Sequence, residues 1–499
     1  MASKIVLVFP ETEPPIAYWK NQQIDRPHPP YSILSIGSYL KEKGYEVKII
    51  DRMMEPSDEV ITKECKDAMA VGMSAMTSQI KDVLKVSELI KSKYKIPIIF
   101  GGIHPTLYPK QCCEDELIDY VVTEEGEETI YELLEWLKDK KGDINMIKGV
   151  VHKTQGEIII NPKRPKMNME DLPPWDYSLI NIEDYALGSK NKEKRISVQT
   201  SRGCPHRCSF CINIIMNNQQ YRFRSKEMVM DEIDSAVKTY GVKKLQFYDE
   251  NFFANKPRGK EIFKELIKRN YGLELSASCR IDYFSNGLVD DEVLSLAAKA
   301  GLTRIALGPE SGSEHTLEIL KKDITPKQIL HAITKCREYN IRMMLGFMMG
   351  MPGETKEDVM QTIKIMKQIK KIAPETNGGI SIYRPYPGGE LYEAVKKTGT
   401  YEEPSNLREW VDERYSKFMT NEGGGIPWNE NEKFIMNIAH YANLAFKPKY
   451  EIKDMLRKSS ISMYGFVMFI FLAKLRFKLN FYSLPLDKHI YRYSRRFAK

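Results

Sequence analysis

Apolar and polar positions follow two rhythms over the first 150 residues. Short runs at 4–9, 46–50, 68–73, 96–100 and 120–122 are apolar on both faces and predict buried strands. Between or after them, 31–43, 81–93 and 127–140 repeat their apolar positions at helical spacing. Strands buried on both faces and separated by helices indicate an α/β unit with a doubly wound parallel sheet. Ligands of such sheets sit at the carboxyl ends of the strands.

The rhythm breaks at 151–195. Residues 152–160 fit a hairpin, and 161–176 are rich in Pro, Met and charge and include Leu172-Pro-Pro-Trp-Asp176, which reads as a linker. From 196 the alternation returns. Strands are expected at 196–200, 243–248, 274–278, 304–307, 342–348 and 379–383, with helices at 226–240, 258–269, 290–300, 326–339 and 356–369. Six strands with helices between them predict a partial (β/α)6 barrel over 196–400, with its chemistry at the C-terminal strand ends. Residues 401–499 lack a strand pattern and predict a mostly helical region.

Composition adds three points. The 499 residues include eight cysteines, too few for a disulfide scaffold of this length, and three of them fall between 204 and 211, which argues for metal. The net charge of +8 resides in 451–499, where eleven basic residues face three acidic ones. Within it, 461–475 is strongly apolar but shorter than the ~20 residues that span a bilayer, which predicts a core helix or one lying in a membrane interface. Residues 1–9 carry an apolar run without a small-residue cleavage site, so a first strand is expected rather than a signal peptide, with the protein cytoplasmic or peripheral on the inner membrane.

The strongest chemical signal is Cys204-Pro-His-Arg-Cys208-Ser-Phe-Cys211. Thiolates are soft ligands suited to iron–sulfur clusters. Three of them on a four-iron cluster leave one iron open to a substrate. Zinc, the competing reading, usually takes a fourth Cys or His, a role His206 fills only if it turns inward. The run follows the strand at 196–200, where a barrel places an active-site loop, and Arg202-Gly203 can turn the chain there.

This spacing resembles the signature of the radical S-adenosylmethionine (SAM) superfamily, and the later strands resemble that family in order. The resemblance implies a [4Fe-4S] cluster on Cys204, Cys208 and Cys211, and SAM chelating the open iron. It implies Phe210 near the adenine, Asp249 and Glu250 facing the SAM ammonium, and Ser278 and Arg280 on the ribose and carboxylate. Glu310 and Ser311 follow near the methionine and ribose, with Gly346 and Gly350 letting backbone approach the base. Cys279 is expected to be a packed thiol. The turn Tyr383-Arg384-Pro-Tyr-Pro387-Gly388-Gly389 resembles the one that closes this barrel.

The N-terminal unit resembles the Rossmann-like cobalamin-binding domain often fused ahead of this barrel. The resemblance rests on Pro29-Pro30-Tyr31-Ser-Ile-Leu-Ser-Ile-Gly37, Ser74-Ala-Met-Thr77-Ser78-Gln79, Gly101-Gly102-Ile-His104-Pro105-Thr106 and Glu124-Glu125-Gly126-Glu127. It implies cobalamin against Ser74, Thr77, Ser78, Gly101, Gly102, His104, Glu125 and Gly126. The Asp-x-His-x-x-Gly motif that supplies a histidine to cobalt is absent, so cobalamin is expected without a histidine ligand, and His104 as a satisfied loop residue.

Together these expectations describe a cobalamin-dependent radical SAM enzyme that methylates an unactivated carbon. A cyclase or rearrangement enzyme with the same cofactors is the enzymatic alternative. A cluster- and corrinoid-binding sensor is the non-catalytic one. The expected partners are a small-molecule or lipid-like substrate and an external electron donor such as flavodoxin or ferredoxin. The basic tail adds an expectation of contact with an anionic membrane. No recognisable RNA-binding module accompanies it, which argues against nucleic acid.

Overall fold

The computed structural model describes residues 3–12, 28–186, 194–419, 425–456, 461–483, 485 and 487. Two sheets organise them. The first has seven strands in the order β2-β1-β3-β4-β5-β6-β7: β1 Lys4–Phe9, β2 Glu46–Asp51, β3 Ala70–Ser74, β4 Ile98–Gly101, β5 Tyr120–Val122, β6 Val150–Thr154 and β7 Glu157–Ile160. β1 to β5 are parallel, and the fully buried middle of β1 reflects cover on both faces. The helices Tyr31–Glu42 and Glu127–Asp139 lie on one side, with their apolar residues in the larger core. Asp58–Cys65 and Ile80–Lys93 close the other around Val6, Val8, Val71 and Phe100.

The hairpin expected at 152–160 is present, yet it belongs to this sheet rather than to a linker. β6 pairs antiparallel with β5, matching Tyr120 with His152, and buries Val150 and Val151. Its two-residue turn, Gln155 and Gly156, takes left-handed φ at both positions, 52° and 86°, the backbone that suits a tight hairpin.

The second sheet is parallel and sequential. β8 Arg195–Val198 precedes a small ribbon, β9 Ser201–Arg202 and β10 Arg222–Phe223. Then come β11 Lys244–Phe247, β12 Glu274–Cys279, β13 Leu302–Glu310, β14 Arg342–Met349 and β15 Asn377–Ile382. The order β8-β11-β12-β13-β14-β15 makes an open six-stranded barrel wall. Outward residues such as Leu245, Phe247, Leu275, Ile305, Met343 and Phe347 are buried. Many inward positions are small, among them Ser276, Ser278, Ala306, Gly308 and Gly346. Barrels of this kind normally fill their interior with large side chains; here small residues leave a lumen.

The C-terminal helices cover the open edge. Asn443, in Glu432–Ala445, accepts from the Ile380 N–H at 2.5 Å and donates to the Ile380 carbonyl at 2.9 Å, so a side-chain amide satisfies the edge strand β15. The close approach needs Gly379, where a Cβ would lie 2.8 Å from Asn443 Oδ1. No helix among the described residues is long and apolar enough to cross a membrane. In the helix Ile461–Leu479 and after it, Phe477 and Tyr482 are buried and Phe481 is exposed. Tyr491, Tyr493 and Phe497 lie outside the described residues.

The two sheets meet through aromatic and ionic contacts. Tyr31 stacks on Trp175 at 4.3 Å and meets Tyr248 at 4.4 Å between ring centroids, while its hydroxyl donates to Ser197 Oγ at 2.7 Å. A clip after the barrel returns to the first sheet. Gln111 Nε2 donates to the Pro404 carbonyl, Trp410 Nε1 donates to Gln111 Oε1, and Arg408 pairs with Asp115 at 2.7 Å.

Candidate cluster and cofactor site

The cysteine loop leaves β9 through Gly203. Its φ is +89°, and a Cβ there would lie 1.9 Å from the Gln220 carbonyl oxygen, so only glycine passes. Cys204, Cys208 and Cys211 line one cavity of about 780 Å³ together with Phe210, Glu250, Ser278, Arg280, Gly308, Glu310, Lys322 and Gly346. Two of the sulfurs receive side-chain donors: Arg280 Nη1 lies 3.3 Å from Cys208 Sγ, and Asn251 Nδ2 lies 3.6 Å from Cys204 Sγ. Burial pushes the Cys204 and Cys211 thiols up, a cost that metal ligation offsets.

Among the described residues no three His, Cys, Asp or Glu side chains converge as a single-ion site. His206 is turned to the Tyr283 hydroxyl, 2.9 Å from its Nε2, and burial lowers its pKa to about 4. That geometry removes the zinc reading. Three spread thiols beside an open cavity fit a polynuclear cluster with one free position.

The neighbouring acids divide. Asp249 is buried and accepts from Thr200 N at 2.7 Å, Ser201 N at 3.0 Å and Thr200 Oγ1 at 2.5 Å. It ties the end of β11 to the end of β8 and does not face the cavity, contrary to the expectation that it contacts SAM. Glu250 does line the cavity; it accepts from Gly203 N at 3.2 Å, and burial raises its carboxyl, with Asp249 adding to the effect. An ammonium group there meets a carboxylate with spare acceptor capacity.

Arg280 is largely committed to protein. Besides Cys208 it donates to Asp282 at 2.8 Å and to the Lys322 carbonyl at 2.8 Å. Lys322, which no motif singled out, pairs with Glu310 at 2.8 Å and lies 5.8 Å from the Phe210 ring centroid. Glu310 holds a left-handed φ of 57° at the end of β13. Ser311 is correctly at this strand end but buried, its hydroxyl against Thr362 at 2.9 Å. Gly350 sits beneath Ile426, and its carbonyl accepts from Trp428 Nε1 at 2.7 Å. Neither lines the cavity, so both depart from their expected contact with SAM. Gly346 does, with open space where a Cβ would be. Cys279 is a packed thiol on the cavity wall.

In the first sheet, His104 is fully buried. Its Nδ1 meets Thr77 Oγ1 at 3.1 Å, its ring lies against Trp410 and Tyr108, and burial lowers its pKa to about 3. The clip residue Trp410 closes it off, so it is not a contact for the cofactor. Glu125 pairs with Arg222 and lies 3.6 Å from Arg202, and Glu127 pairs with Arg202 at 2.7 Å. These acids join the first sheet to the cysteine loop rather than to a ligand. Ser74 is also buried, and Gly126 packs under Ile36. Ser78 and the backbone at Gly101 and Gly102 remain half-exposed beside the exposed Met76, a surface of small groups and one apolar side chain that fits a planar macrocycle.

The profile of the radical SAM superfamily matches residues 198–366, and that of the B12 binding domain matches residues 22–134. The chain thus carries a radical SAM domain, with a B12 binding domain ahead of it. It is similar to an uncharacterized methyltransferase of Pyrococcus horikoshii, 29% identical over 435 residues, covering 83% of this chain and 90% of that one. An anaerobic magnesium-protoporphyrin IX monomethyl ester cyclase of Rubrivivax gelatinosus is 28% identical over 377 residues, 74% of this chain and 66% of the relative. Among solved structures, the cobalamin-dependent SAM radical enzyme OxsB with aqua-cobalamin bound superposes with a TM-score of 0.71 at 19% identity, over 95% of this chain and 72% of that chain. The radical SAM methyltransferase TsrM of Kitasatospora setae does so at 0.65 and 20%, over 83% of each chain. At such identities these two likenesses establish the fold. The two matched domains point to SAM and cobalamin as cofactors, beside the three-cysteine cluster site.

Proposed function

We propose that this radical SAM enzyme methylates an unactivated carbon of a small-molecule substrate inside the barrel lumen. The observation that carries the reading is the single cavity in which the three cysteines, Glu250, Ser278, Glu310 and Lys322 meet. When bound, the cluster supplies an electron to SAM, SAM the 5′-deoxyadenosyl radical that takes a substrate hydrogen atom, and cobalamin the methyl group. The chain's own residues do the holding. Cys204, Cys208 and Cys211 ligate the cluster, Arg280 and Asn251 donate to its thiolates, Glu250 receives the SAM ammonium, and Phe210 and Gly346 flank the base. Ser78, Gly101 and Gly102 support the corrin, with no histidine on cobalt. An external flavodoxin or ferredoxin serves as electron donor.

The printed names of the Pyrococcus and Kitasatospora proteins support methyl transfer, and that of the Rubrivivax relative supports cyclisation as the second reading. Anaerobic purification with iron, sulfide and corrin analysis, followed by reduction in the presence of SAM, tests the proposal. 5′-Deoxyadenosine is expected from the native protein and not from Cys204→Ala, Cys208→Ala or Cys211→Ala. Its absence from a fully loaded native protein leaves the sensor. A nitrogen splitting from protein imidazole in the cobalt(II) spectrum refutes the ligand assignment.

Contact with an anionic membrane belongs to the same proposal. The helix Ile461–Leu479 leaves Met468, Phe471, Leu472, Leu475 and Leu479 exposed at helical spacing, beside Lys474 and Lys478. An apolar face rimmed by lysines suits a bilayer interface. Co-sedimentation with phosphatidylserine vesicles at low salt, lost in a Phe471→Ser/Leu475→Ser variant, is the expected result; equal negligible binding to neutral and anionic vesicles refutes it.

A further inference from the structure

The inward face of the barrel ends, at its N-terminal mouth, in a pair of arginines that have no counter-charge among the described residues. Arg304 of β13 and Arg342 of β14 are register partners, and both are exposed. Among the described residues neither side chain forms a salt bridge or hydrogen bond. Like charges opposite one another destabilise a sheet, so nothing in the fold itself calls for the pair. The next inward pair on the same strands is Ala306 and Met344, which are also register partners and line the cavity. Two strand residues separate the pairs, roughly 7 Å of rise. The arginines therefore stand at the far end of the chamber that begins at the cysteines.

The surroundings reinforce the charge. Lys447 lines the same end of the cavity, paired with Glu451 at 3.1 Å, whose other oxygen accepts from Asn377 at 2.6 Å. Both arginines lie close enough to Tyr450 to act on its hydroxyl electrostatically. Lys244 and Arg195 are register partners on the adjoining strands, with Glu274 3.7 Å from Lys244. Between this basic mouth and the cluster the wall is apolar: Met344, which is 60% exposed, with Leu345, Ile380 and Leu444. Four residues of strand, about 13 Å, separate the Arg304–Arg342 level from Gly308 and Gly346.

We propose that Arg304 and Arg342 bind the oxyanion at one end of an elongated substrate whose apolar body runs up the lumen to the cluster. The guanidinium fork suits phosphate and carboxylate alike, so the substrate is an anionic amphiphile. This names the substrate class of the reaction proposed above and rests on that reading. The barrel then takes its substrate from the mouth opposite the B12 binding domain.

Calorimetry on the anaerobic full-length protein tests it without turnover, with dodecyl phosphate and dodecanoate below their micellar concentrations, dodecanol as the neutral probe and inorganic phosphate as the bare anion. One of the two acids is expected to bind at one site at least tenfold more tightly than dodecanol or phosphate, and the tighter of the two names the head group. Arg304→Gln/Arg342→Gln should erase the preference, whereas Lys110→Gln, a charge removed from the surface of the first domain, should keep it. The double variant should melt no lower than the native protein, since a repulsion has been removed. Equal binding of acid and alcohol, inorganic phosphate binding as tightly as the acids, or a lowered melting temperature overturns the proposal. A native protein that cleaves SAM yet shows no preference for the acids sinks the anion site alone; one that shows the preference and makes no 5′-deoxyadenosine sinks the catalytic reading alone.

Discussion

Arg280 offers a direct measure of how the protein matrix sets the cluster's potential. Its Nη1 donates to Cys208 Sγ at 3.3 Å, and its remaining bonds to Asp282 and the Lys322 carbonyl hold it in place. A cationic donor on a ligand sulfur favours the more negative, reduced cluster, so removing it lowers the midpoint. A hydrogen bond to a charged group contributes about 1.5–3 kcal/mol. If half of that differs between oxidation states, the change is about 0.75–1.5 kcal/mol, which at 59 mV per tenfold for one electron corresponds to roughly 30–65 mV. Arg280→Met keeps an unbranched stem and removes the guanidinium. The expected midpoint of the reconstituted, SAM-free variant, followed by electron paramagnetic resonance during a redox titration, is lower by that amount. Asn251→Leu removes the longer, neutral donor to Cys204 and should lower it by less than half as much. An unchanged or raised midpoint in Arg280→Met at full iron content refutes the reasoning.

Two further outcomes follow from buried charges. Burial pushes the Glu354 carboxyl from 4.5 up to about 8, with one oxygen accepting from Gly350 N at 2.5 Å and the other without a partner. The folded protein thus holds a proton that the unfolded chain releases, and stability falls as pH rises from about 4.5 to about 8. Between pH 6 and pH 8.5, Glu354→Gln should gain about 2–3 kcal/mol relative to the native protein in urea melts, and parallel profiles contradict this. Glu127, despite its burial, is held below the usual carboxylate range by Arg202. Arg202→Met strands that charge and should cost about 3–5 kcal/mol, most of it recovered in Arg202→Met/Glu127→Leu; a single variant as stable as the native protein speaks against the ion pair's role.

Much of the fold was legible because strand and helix periods are local. The six barrel strands and the five parallel strands of the first sheet fall within two or three residues of their expected positions. The cysteine spacing carries the cluster because the loop is short and continuous. Elsewhere the reading erred where a motif was taken whole. Asp249 and Glu250 are adjacent, so they face opposite ways beyond β11, and the buried outward parity of Leu245 and Phe247 would have assigned Asp249 to the wall. Ser311 lies one step past Glu310, which does face the lumen, and Gly350 lies beyond the end of β14 beneath Ile426. Lys322 had no local signal, since it reaches Glu310 across a helix. The hairpin at β6 and β7 was seen, but only pairing could show that it extends the first sheet. His104 has its ring closed off by Trp410, a contact some three hundred residues away in the chain and invisible to any periodic pattern.

The clip that carries Trp410 has a consequence for biosynthesis. The first sheet emerges from the ribosome early, while the residues that seal Tyr108, Gln111 and Asp115 are made almost three hundred residues later. At about 5–20 residues per second, that patch waits on the order of 15–60 s for its cover. A nascent chain of that kind displays an aromatic and acidic surface throughout barrel synthesis, which makes the half-made protein a client for chaperones. It also means that the B12 binding domain cannot be cut out cleanly at the end of its own sheet: a fragment ending at residue 160 would lack the piece of chain that finishes it.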